Sequence, residues 1–423
     1  MRSIYWVRDD LRIHDNRVLL EFAQQTKVGV LIWCTTPSFL RADEIRRNFI
    51  LHSLFDFKQS IARLGGQLLI FDRPAGEVLP ELVRSFNAEA IFCTSLPTHE
   101  ELTEELKIES WLGPGLRRDP QTTLIHPDDL PYPLEAVPEL FTEFRKSVEK
   151  HLVLKPEVTI PERLPGVEQW SMPIDGWDTL ITEWPDNRDS PFSGHSLIPP
   201  GERAGLERIG SYFWRTNRVQ TYKKTRNGLL EWDDSAKLSP YLSVGALSPR
   251  RIYFELKRYE HERGQNESTY WLFLELLWRD YFKFIAKKWG PTFFRSMREM
   301  SPNWSPILEQ TVDQDSTFSR WCRGDTDNRF INANMRELNE TGWMSNRGRQ
   351  NVASFLAKTI RVDWRRGAHY FEKKLIDYDA SSNWGNWSYL AGVGQDSRDR
   401  VFNPETQAAL YDPRGDYRNR WCP

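Results

Sequence analysis

Residues 332–398 read NANMRELNETGWMSNRGRQNVASFLAKTIRVDWRRGAHYFEKKLIDYDASSNWGNWSYLAGVGQDSR. This stretch has the periodicity of helices, and it combines arginines, closely spaced aspartates and asparagines with tryptophans. Tryptophans bury large apolar surfaces, and polar groups that are buried beside them need hydrogen-bond partners. The segment therefore predicts a pocket around a large, flat ligand with polar edges, such as an aromatic cofactor, and chemistry that uses a path of indoles.

The sequence before residue 130 alternates short apolar runs with polar, helix-like segments. Such alternation predicts an α/β fold with a parallel sheet and crossover helices. The predicted strands are Ser3–Val7, Val28–Trp33, Gln67–Phe71 and Ala90–Thr94, and Arg46–Leu64 is a predicted helix. Periodicity fades between His151 and Pro200, where proline recurs, which favours a long linker. From Glu202 onward the pattern is almost wholly helical, and residues 268–290 and 346–360 give its strongest helices.

The composition is that of a soluble globular protein, with 39% hydrophobic and 27% charged residues in a chain of 423. A formal net charge of -2 excludes a protein that is basic throughout, although it is compatible with a local basic face. The four cysteines are scattered, the N-terminus is too charged for a signal peptide, and no apolar run has the length of a membrane span. These features predict a soluble cytoplasmic protein, which we expect to be a monomer.

Two motifs have both a functional and an ordinary interpretation. Residues 8–12, RDDLR, follow the first predicted strand, where nucleotides often bind, but the chain has no glycine-rich fingerprint. Charges of a solvated loop are therefore the favoured interpretation. Residues 235–240, SAKLSP, offer hydroxyls and a lysine before a helix, which suits a pyrophosphate. The same pattern is also an ordinary helix cap, and without further context the cap is favoured.

Charged residues within apolar helices are the next candidates. Glu275 and Arg279 are one turn apart in a helix that is apolar nearly all round. They predict either the wall of a pocket or a structural ion pair, and the residues alone leave both open.

A further constellation combines Asn346 and Arg349 with the carboxylates Asp377 and Asp379. The carboxylates predict either an acid/base pair or a bridge between helices. Only His369 is nearby, and neither metal-ligand spacing nor a catalytic triad order is present, so hydrolase chemistry is not supported.

Basic residues concentrate beside tryptophans in the helical half, which predicts a nucleic-acid-binding face or, for any one residue, a solvated helix face. They are Arg215, Arg218, Lys223, Lys224, Arg226, Arg347, Arg365, Arg366 and Arg400.

Several long blocks of this sequence resemble the photolyase/cryptochrome family, and most of all its DASH-type cryptochromes. The blocks are VRDDLRIHDN, HPDDLPYPLEAVPELFTEFRKSVE, SAKLSPYLSVGALSPR, YWLFLELLWRDYF, TGWMSNRGRQNVASFL and LIDYDASSNWGNW. The resemblance covers essentially the whole chain. It implies a Rossmann-like α/β domain at residues 1–130, an interdomain linker at 131–200 and an all-helical FAD-binding domain at 201–423.

By the family pattern, FAD is held non-covalently in a bent, U-shaped form. The residues implied to bind it are Tyr222, Ser235, Ala236, Lys237, Leu238, Ser239, Glu275, Arg279, Asp280, Asn346, Arg349, Asp377, Asp379 and Asn383. Tyr222 and residues 235–239 would hold the phosphates. Arg349 would form an ion pair with Asp377 beside the ring system, and Asn383 would face flavin N5.

The implied activity is that of a deoxyribodipyrimidine photolyase, a carbon–carbon lyase driven by blue light. An electron from reduced FAD would reach a cyclobutane pyrimidine dimer flipped out of its strand, and the dimer would split and return it. Glu275 would hydrogen-bond the lesion, and Trp278 would pack against it. Arg226, Arg347 and Arg400 match family positions that touch DNA phosphates.

The same resemblance implies a relay of electrons from the surface to FAD through Trp364 and Trp387. A third tryptophan is expected near Thr311 and is missing there, so Trp304 or Trp321 would have to replace it.

Two positions favour the DASH type over photolyases that act on duplexes. Gln350 stands where duplex enzymes carry Met, and Tyr389 stands where they carry a second Trp that packs on the lesion. A more polar pocket recovers less of the cost of opening a duplex, so UV-damaged single-stranded DNA is the implied partner. Dimers looped out of a duplex and RNA are further candidates. Glu149 matches the family's pterin-binding Glu, which implies methenyltetrahydrofolate as an antenna.

Two other functions remain open at this stage. A blue-light photoreceptor would use the same flavin without repairing DNA, and the presence of Glu275 and Trp278 disfavours it. A flavin oxidoreductase that works in darkness would need a nicotinamide site, and the sequence has no fingerprint for one.

Overall fold

The computed structural model describes residues 1–167, 198–295, 313–394 and 401–423. The predictions that concern Trp304, Thr311 and Arg400 lie outside these residues.

A parallel sheet organises the N-terminal part of the fold. Its strands are β1 (Arg2–Val7), β2 (Val28–Cys34), β3 (Leu68–Phe71), β4 (Ala90–Thr94) and β5 (Leu116–Asp119). They lie in the order β3-β2-β1-β4-β5, and each neighbouring pair is parallel. Tyr5 and Val7 enter one hydrophobic core and Ile4 and Trp6 another, so both faces of β1 are buried, as in sheets covered by helices on both sides. The strand order reverses between β1 and β4, where α/β folds often bind ligands.

Helices connect the strands and continue into the segment that was predicted as a linker. They are α1 (Arg17–Gln25), α2 (Pro37–Arg41), α3 (Glu44–Arg63), α4 (Ala75–Phe86), α5 (His99–Leu112) and α6 (Phe141–His151). The start of α1 is fixed by the side chain of Asn16, which accepts a hydrogen bond from the backbone N–H of Leu19.

The regular elements of the second half of the chain, within its described residues, are all helices. Its helices are α7 (Glu202–Ile209), α8 (Tyr222–Thr225), α9 (Ser239–Ser243), α10 (Pro249–Arg263), α11 (Glu267–Trp289), α12 (Asp313–Arg323), α13 (Arg329–Thr341), α14 (Asn346–Ser354), α15 (Trp364–Lys374), α16 (Ala380–Ala391), α17 (Pro404–Tyr411) and α18 (Asp416–Trp421). The long helix α11 begins at a capping box in which Asn266 accepts from the N–H groups of Ser268 and Thr269. It ends at Gly290, whose φ is +53°.

The loop after β1 packs against the helical half instead of lying in solvent. The guanidinium of Arg12 is 1% exposed and donates to the carbonyl of Gly245 at 2.9 Å, and Asp10 accepts from the hydroxyl of Thr94 at 2.5 Å. A Cβ atom on Gly245 would lie 2.0 Å from the carbonyl oxygen of Asp9, so only glycine permits this approach. The interpretation of residues 8–12 as solvated loop charges is therefore wrong for Arg8, Asp10 and Arg12, which are buried, whereas Asp9 is exposed.

The predicted fold class is confirmed: an α/β part with a parallel sheet is followed by a helical part. The four predicted strands match β1 to β4 within about a residue, whereas β5 was missed because LRRD has no apolar run. The prediction of the helix at 268–290 agrees with α11 to within one residue. None of the described helices combines the length and the apolar character that crossing a bilayer requires.

Candidate functional site

A cavity of about 520 Å³ lies among α8, α9, α11, α14 and α16, and most of the predicted cofactor residues line it. These are Tyr222, Ser235, Ala236, Lys237, Leu238, Ser239, Glu275, Arg279, Asn346, Arg349, Asp377 and Asp379. A smaller inner cavity of about 90 Å³ shares Asn346, Arg349 and both aspartates with it and adds Asn383 and Trp387. We call the two together the helical-domain cavity. Its size falls within the range of cofactor pockets.

One end of this cavity is formed by the loop of residues 235–239 before α9. The helix cap residue is Leu238, and its side chain makes no capping hydrogen bond, so the ordinary cap does not explain this sequence. Lys237 has a φ of +50°, and its ammonium lies 5.3 Å from the ring of Trp232 and 5.4 Å from that of Trp343. Burial and the neighbouring Arg208 together lower the pKa of Lys237 to about 8.

The ion pair predicted between Arg349 and Asp377 is present at the centre of the cavity. Nη2 of Arg349 donates to both carboxylate oxygens of Asp377, at 2.8 and 3.0 Å, and Nε donates to the carbonyl of Met344 at 2.9 Å. The hydroxyl of Ser239 donates to the same carboxylate at 2.7 Å. The side chain of Asp377 is only 2% exposed, so these bonds take the place of the contacts with water that its carboxylate lacks.

The second carboxylate, Asp379, is held by a different set of donors. Burial alone would raise its pKa, but Lys283 at 2.7 Å and Arg279 at 3.9 Å more than offset this and hold the pKa below its usual range. Its side chain also caps α16 by accepting from the N–H of Ser382 at 2.9 Å. Asp379 is therefore a fixed negative charge, and it does not serve as a proton donor.

The inner end of the cavity brings Asn383 and Trp387 together on α16. Nδ2 of Asn383 donates to the carbonyl of Ala368 at 3.0 Å, which fixes the orientation of the amide. Trp387 is 2% exposed, and a Cβ atom on Gly367 would lie 2.2 Å from its ring, so α15 and α16 approach closely only because residue 367 is glycine.

The tryptophans around the predicted relay form two separate pairs. Trp364 packs edge-on against Trp384 at 5.5 Å, and Trp387 packs edge-on against Trp321 at 6.3 Å. Among the described residues no ring contact joins Trp364 directly to Trp387. Trp321 is fully buried, so it is not the surface end of a relay, although it touches Trp387.

The open side of the cavity carries the residues that were predicted to contact a lesion. Glu275 forms an ion pair with Arg226 and not with Arg279, and its side chain is 33% exposed. Burial raises the pKa of Glu275 above its ordinary value, and Arg226 only partly offsets this. Trp278, Gln350 and Tyr389 line the same side of the cavity.

Comparison with known proteins shows to which family this chain belongs. Residues 3–165 match the model described as DNA photolyase, and residues 271–423 match the model described as FAD binding domain of DNA photolyase. The cryptochrome DASH of Gloeobacter violaceus is 41% identical over 440 residues, which cover 99% of this chain and 85% of the relative. The chain belongs to the photolyase/cryptochrome family.

Other members of the family are also similar to this chain over most of their length. The cryptochrome DASH of Xenopus laevis is 40% identical and is matched over 82% of its length. The solved structure of the Synechocystis cryptochrome superposes with a TM-score of 0.90 and 38% identity, and the match covers 100% of this chain and 88% of that one. An archaeal photolyase from Sulfolobus tokodaii, solved with two FAD molecules, gives a TM-score of 0.77 at 28% identity.

As a photolyase/cryptochrome the chain carries a FAD-binding domain, and the residues of the helical-domain cavity fit this cofactor. The cavity offers a lysine and hydroxyls at one end and a carboxylate–guanidinium pair at its centre. Two buried polar atoms on its wall, Oε1 of Gln350 and Nε of Arg279, have no hydrogen-bond partner within the described parts of the chain. A ligand with polar edges would satisfy them.

Two predicted site residues lie elsewhere in the structure. Asp280 does not line the helical-domain cavity: it is fully buried, and its carboxylate accepts from the N–H groups of Leu124 at 3.0 Å and Ile125 at 2.9 Å. It anchors the segment between the sheet and α6 to α11, and its assignment to FAD stays a prediction. Glu149 does not line the helical-domain cavity, and it accepts from the hydroxyl of Tyr270 at 2.6 Å. Its antenna role stays a prediction.

The basic residues are mostly paired. Arg347 donates to Asn227 at 3.2 Å and lies 4.7 Å from the ring of Tyr411, which holds its side chain in place. Arg365 bonds to Asp363 and Arg366 to Asp315, so these two do not extend a free basic face.

The sequence-based search missed Trp271 and Phe282, which line the cavity from α11. Both lie on the same stripe of this helix as Glu275 and Trp278, at spacings of three, four and seven residues. A helical projection of residues 268–290 would have found them.

A larger cavity, of about 670 Å³, borders this site and opens at the carboxyl ends of the strands. Residues 8 and 9, Trp33, Glu101 and Lys283 line it, and Asp379 borders both cavities.

We expect the affinity for FAD to fall as the pH rises through about 8. A pyrophosphate attracts Lys237 only in its ammonium form, and above its pKa of about 8 the unliganded protein loses that charge. The charged groups around this ammonium are Arg208, Asp233, Asp234 and Glu337. Titrating the apoprotein with FAD between pH 6.5 and 9.5 should show a flat affinity up to pH 7.5 and a decline above it. The Lys237→Met variant should bind FAD more weakly and without this decline; an identical pH profile in that variant would refute the assignment.

Proposed function

We propose that this chain is a DASH-type deoxyribodipyrimidine photolyase that repairs cyclobutane pyrimidine dimers, preferentially in single-stranded DNA. The observation that carries the proposal is that Glu275 and Trp278, both only half-buried, line the same cavity as the residues that fit FAD. When bound, FAD supplies the light-driven electron that opens the cyclobutane ring. The protein contributes binding, orientation and the exclusion of water.

The lesion would lie against Trp278 with its ring N–H groups towards Glu275. An aromatic face stacks on either pyrimidine, and the carboxylate of Glu275 can accept a hydrogen bond from a pyrimidine N–H. The ion pair with Arg226 keeps Glu275 in place until a substrate N–H competes for the carboxylate. Arg226 therefore acts through Glu275 in addition to its predicted contact with a DNA phosphate.

Inside the cavity, Asn383 is assigned to the edge of the flavin because its orientation is fixed and its side chain lines the inner end. Trp387 lines the same end and is assigned to the electron relay with Trp364. Because Trp364 contacts Trp384, we assign Trp384 to the relay as a residue that exchanges electrons with Trp364. Because Trp387 contacts Trp321, we assign Trp321 as a neighbour that shares charge with Trp387.

Preference for single strands is supported by Gln350 and Tyr389 on the cavity wall. Flipping a dimer from a duplex costs a few kcal/mol more than taking it from a single strand, and stacking in the pocket must offset this cost. A pocket with an amide and a phenol in place of larger apolar side chains offsets less of it.

The double variant Gln350→Met, Tyr389→Trp should raise repair of matched duplex substrate about tenfold at subsaturating concentration, since a larger stacking surface adds about 1.4 kcal/mol. Initial repair rates on matched duplex oligonucleotides, with single-stranded oligonucleotides run beside them, measure this gain. A duplex rate equal to that of the wild type would show that these two positions do not limit repair of the duplex.

Binding in darkness separates the repair enzyme from the alternative, a blue-light photoreceptor. A repair enzyme should bind a single strand with one thymine dimer at least tenfold more tightly than the undamaged strand, measured by fluorescence anisotropy. Equal affinities, together with bound and photoreducible FAD, would support the photoreceptor. The cytoplasmic location, the monomeric state and the domain boundaries at residues 130 and 200 are retained as parts of the proposal.

A further inference from the structure

A second, mostly aromatic cavity lies directly beside the proposed lesion site. It has a volume of about 340 Å³, and we call it the aromatic cleft. Its principal walls are Phe141, Trp278, Trp289, Phe293, Tyr389 and Arg295. Trp278 and Tyr389 also line the helical-domain cavity, so the two sites share a wall.

The shared wall is built as a layered stack. The ring of Phe141, from the start of α6, lies 3.6 Å from the ring of Trp278 with only 14° between their planes. Tyr281 packs edge-on against both rings, at 5.6 and 5.8 Å, and its hydroxyl donates to the carbonyl of Glu139 just before α6. The wall is therefore fixed from two segments that lie more than 130 residues apart in sequence.

The chemistry of the cleft suits a planar, uncharged, heteroaromatic ring. Its lining has two charged residues, Glu139 and Arg295, and is otherwise dominated by aromatic rings. Phe141, Trp278, Trp289 and Tyr389 are only half-buried, so their surfaces are accessible to a ligand. Base–aromatic stacking contributes about 1–3 kcal/mol per base and tolerates any sequence, because every base has a π-face.

We propose that the aromatic cleft holds the nucleobase next to the flipped dimer on the same strand. This inference rests on the proposed function, and continuity through Trp278 and Tyr389 is its structural basis. Arg295 at the cleft supplies a cation for the adjoining phosphate.

The cleft gives a second physical reason for a preference for single strands. In a duplex the neighbouring base is paired and stacked, and it must lose those contacts before it enters the cleft. In a single strand it loses only partial stacking, so most of the stacking energy in the cleft adds to the affinity.

Short single strands with one central thymine dimer test the proposal. The nucleoside on the 5′ side, or the one on the 3′ side, is replaced by an abasic tetrahydrofuran, and affinity is measured by fluorescence anisotropy in darkness on the FAD-loaded protein. One of the two replacements should weaken binding by the wild type about tenfold. The same replacement should weaken binding by less than twofold in Trp289→Leu, since Trp289 lines the cleft and not the helical-domain cavity.

Two further variants separate stacking from a general loss of structure. Trp289→Phe keeps a ring in the cleft and should restore most of the abasic effect. Tyr253→Leu removes a half-buried ring of α10 that lines neither the aromatic cleft nor the helical-domain cavity, and it should behave like the wild type.

The cleft assignment is overturned if the wild type prefers the dimer but shows no abasic effect on either side. It is also overturned if the abasic effect is undiminished in Trp289→Leu. Either result leaves the proposed function in place. No preference for the dimer over the undamaged strand would overturn both.

Discussion

Replacing Arg349 with methionine is expected to lower the free energy of unfolding by about 3 kcal/mol and to abolish retention of FAD during purification. The change leaves the carboxylate of Asp377, 2% exposed, without the guanidinium that binds both of its oxygens. The hydroxyl of Ser239 cannot by itself stabilise a buried charge. Urea unfolding and the flavin absorbance of the purified protein measure the two effects.

Arg347→Met is the matched control, because it removes another guanidinium from α14 two residues away. Arg347 makes no ion pair among the described residues, and its side chain bonds to Asn227 and Gln407. We expect this variant to retain FAD and to lose no more than about 1 kcal/mol of stability. Similar losses in both variants would show that the Arg349–Asp377 pair is not the centre of the site.

Replacing Trp278 with leucine should weaken binding of a thymine dimer in single-stranded DNA by about a hundredfold. Trp278 forms the wall that both cavities share, so the change removes stacking on the lesion and loosens the packing of Phe141. A loss of about 2.7 kcal/mol corresponds to this factor and lies within the range measured for stacking on a base.

The readout for Trp278→Leu is affinity for the damaged strand relative to the undamaged strand, with FAD content as an internal check. Trp278 is assigned to the lesion and is not among the residues predicted to bind FAD, so FAD should remain bound. Unchanged affinity for the dimer would contradict the placement of the lesion against this tryptophan.

Local sequence already groups the candidate cofactor residues where they follow a helical repeat or a long motif. Asn346 and Arg349 lie one turn apart on α14, and Asp377 and Asp379 lie just before the first residue of α16. Local spacing therefore already places the members of each pair at one site. The structure adds the contacts between the pairs, such as the bond from Ser239 to Asp377, which joins residues 138 positions apart.

Local sequence does not reveal which side of an element meets its distant neighbours. Arg279 and Asp280 are consecutive, but successive residues of a helix point about 100° apart. Arg279 therefore lines the cavity while Asp280 faces the segment before α6. Glu149 was matched by its motif, and the bond to Tyr270, 121 residues away, was not visible in the sequence.

The most direct test of the central claim is the loss of dimers from UV-treated single-stranded oligothymidine. Purified protein with reduced FAD is incubated with it under blue light and in darkness, and matched duplex is run beside it. We predict dimer loss only in the light and at least tenfold faster on the single strand. No loss in the light, from protein whose FAD is bound and photoreducible, would contradict repair and identify the chain as a photoreceptor.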